Sequence, residues 1–496
     1  MSLTKSLRAV WFGTLMLGAV AWIGCNKSNQ VAASSDGGKV PITTASEEAR
    51  KEFLTGRDLS ERLLGQESLQ HFDKALALDP EFASAELARA NNSPTAKEFF
   101  EHLKKAVELA PKTSNGERLL ILANQAGANG VVEIQKEYLD QLLAAYPNDE
   151  RAQSAAGNYY FGQQELDPAL QHYKKAIDLS PNYSQVYNVM GYCLRQKGSY
   201  TEAEQAFKKY IELIPNDPNP YDSYAELLLK MGRYDESIAQ YRKALSIDPH
   251  FNPSHFGISA DLTYSGKPQE AAAELQAMAD AARNDGELRT AYFGMAVLAS
   301  DGGKYDQALT AMDKEYAVAE KKNDAASMAA DLQAKGNILM QAGKYDEAAK
   351  MFDKSAQLVE NSTLSQEIKN NATLLHHFNL TAVAIAKKDL SSAKTHAAQF
   401  QKGAEATKNS AQLKQAHELA GRIALAEKDY AKAAAELEQA NLQNAQNLYR
   451  LSQAYHGQGD TARAQDYLKK TVDFNPLPSL PYAFIRTKAG KEAGKG

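Results

Sequence analysis

Tryptophan and cysteine are nearly missing from this chain, with two of each in 496 residues. Two cysteines cannot build a disulfide framework or a multi-cysteine zinc or iron–sulfur site. Both tryptophans, Trp11 and Trp22, lie close to the N-terminus. An excess of positive charge is missing too. The 56 Lys and Arg face 61 Asp and Glu, for a net charge of −5, which excludes a nucleic-acid binder whose affinity rests on phosphate contacts. The one long apolar run, Val10 to Ile23, is short of the roughly 20 residues that a membrane-spanning helix needs. With 24% charged and 44% hydrophobic residues, the chain is neither disordered throughout nor broadly membrane-embedded. What it has in quantity is tyrosine, 24 in all.

The apolar run reads as part of an export signal. Lys5 and Arg8 precede it as a basic n-region, and small Gly24 closes it directly before Cys25. The stretch Trp22-Ile23-Gly24-Cys25 resembles the lipobox of bacterial lipoproteins, with Trp22 in place of the usual aliphatic residue. That resemblance implies a signal peptide over 1–24, cleaved before Cys25, and a lipid on Cys25. An ordinary secretory signal or an uncleaved anchor is the alternative. Asn26, not Asp, follows the cysteine, so the retention signal of the enteric inner membrane is missing and the outer membrane or periplasmic face is the expected address. Cleavage would remove both tryptophans, Lys5 and Arg8, but no acid, bringing the net charge to −7. Residues 25–46 are rich in Asn, Ser, Ala, Gly and Thr, with Val40-Pro41-Ile42 their only apolar spot. This composition predicts a flexible tether with a root-mean-square reach of roughly 25 Å.

Past residue 47 the chain is periodic. Pro147, Pro181, Pro215 and Pro249 recur at one constant interval, each closing an amphipathic run such as Tyr173 to Ser180. Gly198, Gly232 and Gly266 form a second ruler with the same period, extended by Gly303, Gly343 and Gly459. Proline disfavours helix at the residue before it. Glycine is favoured just past a helix end because it takes positive φ cheaply. Each unit therefore predicts helix, glycine turn, helix, proline. The length, which would otherwise suggest about three globular domains, is better explained by one elongated array.

The unit from Glu150 carries Ala156-Gly157, Tyr160, Ala169, Tyr173, Ala176 and Pro181. The next carries Tyr187, Met190-Gly191, Leu194, Ala203, Phe207 and Pro215. A third carries Tyr221, Tyr224-Ala225, Leu228, Tyr241, Ala244 and Pro249. These offsets resemble the tetratricopeptide repeat, whose period is about 34 residues, with Tyr or His (Tyr187, Tyr221, Tyr292, His255, His377, His417) in the usual Trp place. The resemblance implies an all-α fold, a right-handed superhelical solenoid of stacked helix-turn-helix repeats. About twelve units are expected. An N-terminal array covers 47–288, with its best repeats at 150–251, and an array of longer repeats covers 289–478. A basic, glycine-containing tail over 479–496 is expected to be disordered.

Motifs for chemistry do not assemble. His417-Glu418-Leu419-Ala420-Gly421 begins like a zinc-protease helix but lacks the second histidine, and Gly457-Gln458-Gly459 falls in an inter-helix turn with no strand before it. Cys193 reads as a small core residue. No catalytic residue, metal ligand or cofactor is expected, which leaves binding. The repeat resemblance implies that first helices line a groove for peptides. The residues so placed are Arg151, Asn158, Asn188, Tyr192, Arg195, Glu226, Lys230 and Tyr264. A family clamp for chaperone carboxylates is not expected: only Asn158 fits it, with Ser154, Val189, Asn219 and Ser223 in its other places. The expected function is a membrane-anchored, non-catalytic scaffold for protein or peptide partners in the bacterial cell envelope, held by its N-terminal lipid and binding no nucleic acid. The alternatives are an accessory subunit or enzyme acting on cell-wall or glycan substrates, and a soluble secreted repeat protein.

Overall fold

Helices follow from the two rulers. The computed structural model describes residues 38–494, which contain 25 α-helices and no strand. The signal segment, Cys25 and the first part of the tether lie outside the described residues. Four helices end at Ala145, Leu179, Leu213 and Ile247, each just ahead of Pro147, Pro181, Pro215 and Pro249 in turn. The intervening Tyr146, Ser180, Ile214 and Asp248 have left the helical region, as the steric demand of a following proline requires. Gly198, Gly232 and Gly343 make the turns inside repeats at φ of 84°, 74° and 74°. Where the glycine ruler fails, Gln164, Lys388 and Lys428 take the same left-handed conformation at φ of 63°, 63° and 62°. The turn persists there at a conformational cost.

Packing explains the second half of the pattern. A small residue on the first helix faces a large ring on the second, at a constant offset along the chain. Gly157 lies under Tyr173, Gly191 under Phe207 and Gly336 under Phe352, each so close that an added Cβ would come within 2.7 Å of the ring. Those rings are 0%, 0% and 1% exposed. Burying each contributes about 1.5–3 kcal/mol of transfer free energy. Much of the tyrosine is therefore core: Tyr173, Tyr210, Tyr241, Tyr455 and Tyr482 are among the largest fully buried side chains. Cys193 is buried and unpaired. Tyr187 and Tyr221, in the usual Trp place, donate to the carbonyls of Pro181 and Pro215 at 3.1 and 3.0 Å. That bond ties each repeat to the proline closing the one before.

Contacts group the chain into two compact units. The first runs to Ile214 and includes Ser365–Asn370, and the second comprises Pro215–Leu364 and the residues from Asn371 onward. The division falls at 214/215. The lengthening expected beyond 288 is one of helix length. Glu150–Gly162 and Leu166–Leu179 have 13 and 14 residues, whereas Tyr345–Glu360 and Gln366–Ala386 have 16 and 21.

Two segments depart from expectation. Part of the expected tether is docked on the first unit: Val40 N–H donates to Asp149 at 2.8 Å, Thr43 N–H to Glu117 at 2.9 Å and Thr44 Oγ1 to Asp79 at 2.5 Å. Val40 and Ile42 pack against core clusters, so this apolar spot is a set of anchors. At the other end, the stretch expected to be disordered forms the helix Leu480–Glu492. Leu480, Tyr482, Ala483, Ile485 and Ala489 bury its apolar face, which its basic residues and glycine disguised.

Candidate functional site

The face available to a ligand is set by which helices touch. In the second unit, Pro218–Lys230 packs on Asn252–Tyr264, and Asn252–Tyr264 on Asp285–Asp301. These are first helices of successive repeats, and contacts between second helices are sparser. First helices therefore form the tighter, inner face. In the first unit Glu150–Gly162 and Ser184–Lys197 meet in the same way. All eight residues expected in the groove lie on these first helices, five in the first unit and three in the second.

Within the first unit, Arg151 is engaged internally. Its Nε and Nη2 donate to the two carboxylate oxygens of Glu61 at 2.8 and 3.1 Å, and its guanidinium lies 5.1 Å from the Tyr183 ring centroid. Burial works against the charge of Arg151, but the Glu61 bond outweighs it and holds the guanidinium above its ordinary pKa. Burial pushes the Tyr183 hydroxyl up as well. Arg57 is lowered by burial and by the nearby Arg151 charge. Asn158 accepts from the Tyr173 hydroxyl at 2.9 Å, so it helps position the core ring. Asn188 is 4% exposed, and its Oδ1 has no hydrogen-bond partner. Tyr192 and Arg195 form a half-buried pair, with the guanidinium 4.7 Å from the ring centroid and that ring edge-on to Phe207 at 5.3 Å.

Within the second unit, Glu226 is buried at 4% exposure. Lys230 donates to the carbonyl of Phe474 and sits 4.1 Å from that residue's ring centroid. The Tyr264 hydroxyl donates to the carbonyl of Pro476 at 2.8 Å, and burial raises its pKa well above the ordinary range. Two of the expected ligand contacts thus hold the chain's own C-terminal segment. Their companions escaped the sequence reading. Tyr234 donates to Asn475 Oδ1 at 3.0 Å, and Arg486 forms a two-point bond with Asp301 at 2.6 and 2.5 Å. Arg486 stood in a stretch expected to be disordered, and Asp301 in a turn sequence with two following glycines. Only the fold brings them together, across 185 residues.

Four histidines pair across their repeats' own helices at a constant spacing of 19: His71 with Glu52, His172 with Gln153, His255 with Glu274 and His417 with Glu436. His377 meets His396 at that spacing, Nδ1 to Nδ1 at 3.2 Å, and burial together with His396 lowers its pKa. These are polar bridges between packed helices. Among the described residues no group of three or more His, Cys, Asp or Glu is placed to hold a metal ion, and no helix is long and apolar enough to cross a membrane.

Models of the tetratricopeptide repeat match residues 136–184, 157–218, 218–251 and 445–476. The chain has a tetratricopeptide-repeat architecture, and the matched stretches together span less than half of it. Among solved structures it is similar to the hetero-tetramer Cut9–Hcn1 of the APC/C, at 14% identity over 88% of this chain and 79% of that one, with a TM-score of 0.41. It is also similar to MamA, at 19% identity over 34% of this chain and 91% of that one, TM-score 0.29. For PilW, a widely conserved type IV pilus biogenesis factor, identity is 18% over 44% of this chain and 92% of that one, TM-score 0.32. No curated protein matches the chain. Repeat architecture of this kind is consistent with a protein-interaction scaffold.

Proposed function

We propose that this protein is a non-catalytic scaffold that binds protein or peptide partners in the bacterial cell envelope, held to a membrane by a lipid on Cys25. The observation that carries the binding half is the inner face of first helices, where the Tyr192–Arg195 pair stands half-buried with its ring braced on Phe207. Rigid aromatic and guanidinium groups of this kind dominate binding energies at protein interfaces. The membrane half rests on the n-region, the apolar run and the Gly24-Cys25 junction.

Docking of residues 38–46 on the first unit shortens the tether. Few residues then separate that unit from the proposed lipid on Cys25, and it would work close to the membrane surface. Replacing the cysteine tests this half: Cys25→Ala should move the protein from the membrane pellet to the soluble fraction after cell lysis, without changing its thermal melt. A variant that stays in the pellet through carbonate washing would rule out the lipid anchor.

A further inference from the structure

We propose that the inner face of the second unit is a ligand site closed from within, and that residues 474–487 of the chain are its resident occupant. Its ligand in trans is a protein segment of the same chemistry: a turn-forming, proline-containing stretch leading into a short helix that carries an aromatic ring and a guanidinium. This rests on the scaffold reading and names the ligand class of one of its faces.

The C-terminal segment leaves the order of the repeats. Besides its sequence neighbour Thr461–Val472, Leu480–Glu492 lies against the first helices Asp285–Asp301, Ala325–Gln341 and Ala445–Gly457, the first two of them far earlier in the chain. The stretch leading into it reaches back 212 to 244 residues, to Tyr264, Tyr234 and Lys230. The way it is held is that of a bound peptide. Two of the anchors, from Lys230 and Tyr264, go to main-chain carbonyls, of Phe474 and Pro476. Carbonyls are supplied by any peptide segment, so these bonds fix register without specifying sequence. Side chains then add selection. Tyr482 meets Tyr264 edge-on at 5.5 Å between ring centroids, and Arg486 binds Asp301 in the two-point geometry that distinguishes arginine from lysine. Asp301 is only 8% exposed in its side chain, so without the guanidinium a buried carboxylate would lack its main partner. Burial by itself disfavours the Arg486 charge, but the Asp301 bond outweighs it and holds the guanidinium above its ordinary pKa.

The occupant depends on the face more than the face depends on it. A helix as short as Leu480–Glu492 is marginal when isolated. Pro476, Pro478 and Pro481 have no N–H to donate to a competing structure of their own. Because the segment is tethered, it competes at an effective concentration in the millimolar range. A partner therefore gains access only by binding more tightly or when the Arg486–Asp301 link is broken.

The test uses the full chain and a fluorescent synthetic peptide of residues 473–492. Wild type should bind the peptide weakly. Arg486→Asp, whose own segment is repelled by an intact Asp301, should bind it at least about tenfold more tightly. Asp301→Arg should reject that peptide and accept one carrying Arg486→Asp, while the double charge reversal should melt like wild type and exclude both peptides. Equal binding to all four chains, or binding that ignores the charge swap, would overturn the proposal. So would loss of helical circular dichroism across the whole chain in Arg486→Asp, which would make the segment a structural cap. Concentration-dependent dimerisation of wild type by exchange of this segment would assign the face to a second copy and overturn the partner reading. Photo-crosslinking at Tyr192, in the first unit, tests the scaffold reading independently of every one of these outcomes.

Discussion

Asp261 is fully buried on the first helix Asn252–Tyr264. Ser237 donates to its Oδ2 at 2.7 Å, and its Oδ1 has no hydrogen-bond partner. Burial is the main influence and pushes its pKa up to about 8, against the opposing pull of the Ser237 bond and with help from Asp235. The sign of the pH dependence follows. The unfolded chain loses this proton near pH 4 and the folded chain near pH 8, so between them the folded state binds more protons and stability falls as pH rises. Asp261→Asn removes the penalty. Urea denaturation should show a gain on the order of 1–3 kcal/mol at pH 8 and little change at pH 4. Equal effects at both pH values would mean that this carboxyl ionises normally. The sequence offered no hint of this residue, since Asp-Leu-Thr on a helix is ordinary and its desolvation comes from the neighbouring repeat.

At the scale of elements, the pairing of helices within a repeat rests on small residues under large rings. Gly191→Ala tests it. At an exposed helical position this change stabilises by about 1 kcal/mol, but here the new Cβ would lie 2.7 Å from two atoms of a ring that is 0% exposed. Overpacking should win and cost about 1–3 kcal/mol in urea denaturation. Gly162→Ala, where nothing lies within 4 Å, is the control and should be neutral or stabilising. A stabilised Gly191→Ala would show that the Phe207 ring has room to move. These elements were legible because their signals are local: Pro181 stops a helix wherever it stands, and Gly198 makes its turn whatever surrounds it. The failures were at elements whose order comes from distant partners. Val40-Pro41-Ile42 looks like a blip in a polar linker until Asp149 receives the Val40 N–H and Glu117 that of Thr43, partners far along the chain. Leu480–Glu492 looks basic and glycine-broken until Asp301 and Tyr264 meet it.

For the whole molecule, the abundance of tyrosine fits a repeat array, which replaces a single large core with many small ones, several of them closed by a ring over a glycine. The eight expected groove residues all fall on first helices, but the contacts they make within their own units were not legible. Arg151 and Tyr264 are already engaged with other parts of their own unit, because inward-facing side chains on a curved face meet one another. What distinguishes an interaction scaffold from an inert spacer is that its inner face is touched by partners and its outer face is not. The direct measurement places a photo-reactive side chain at Tyr192, on the inner face, or at Lys208, whose side chain is 60% exposed on the second helix Tyr200–Leu213, and irradiates living cells. The scaffold reading predicts a discrete protein adduct from position 192 and none from position 208. No adduct at 192, or the same adducts from both positions, would contradict it.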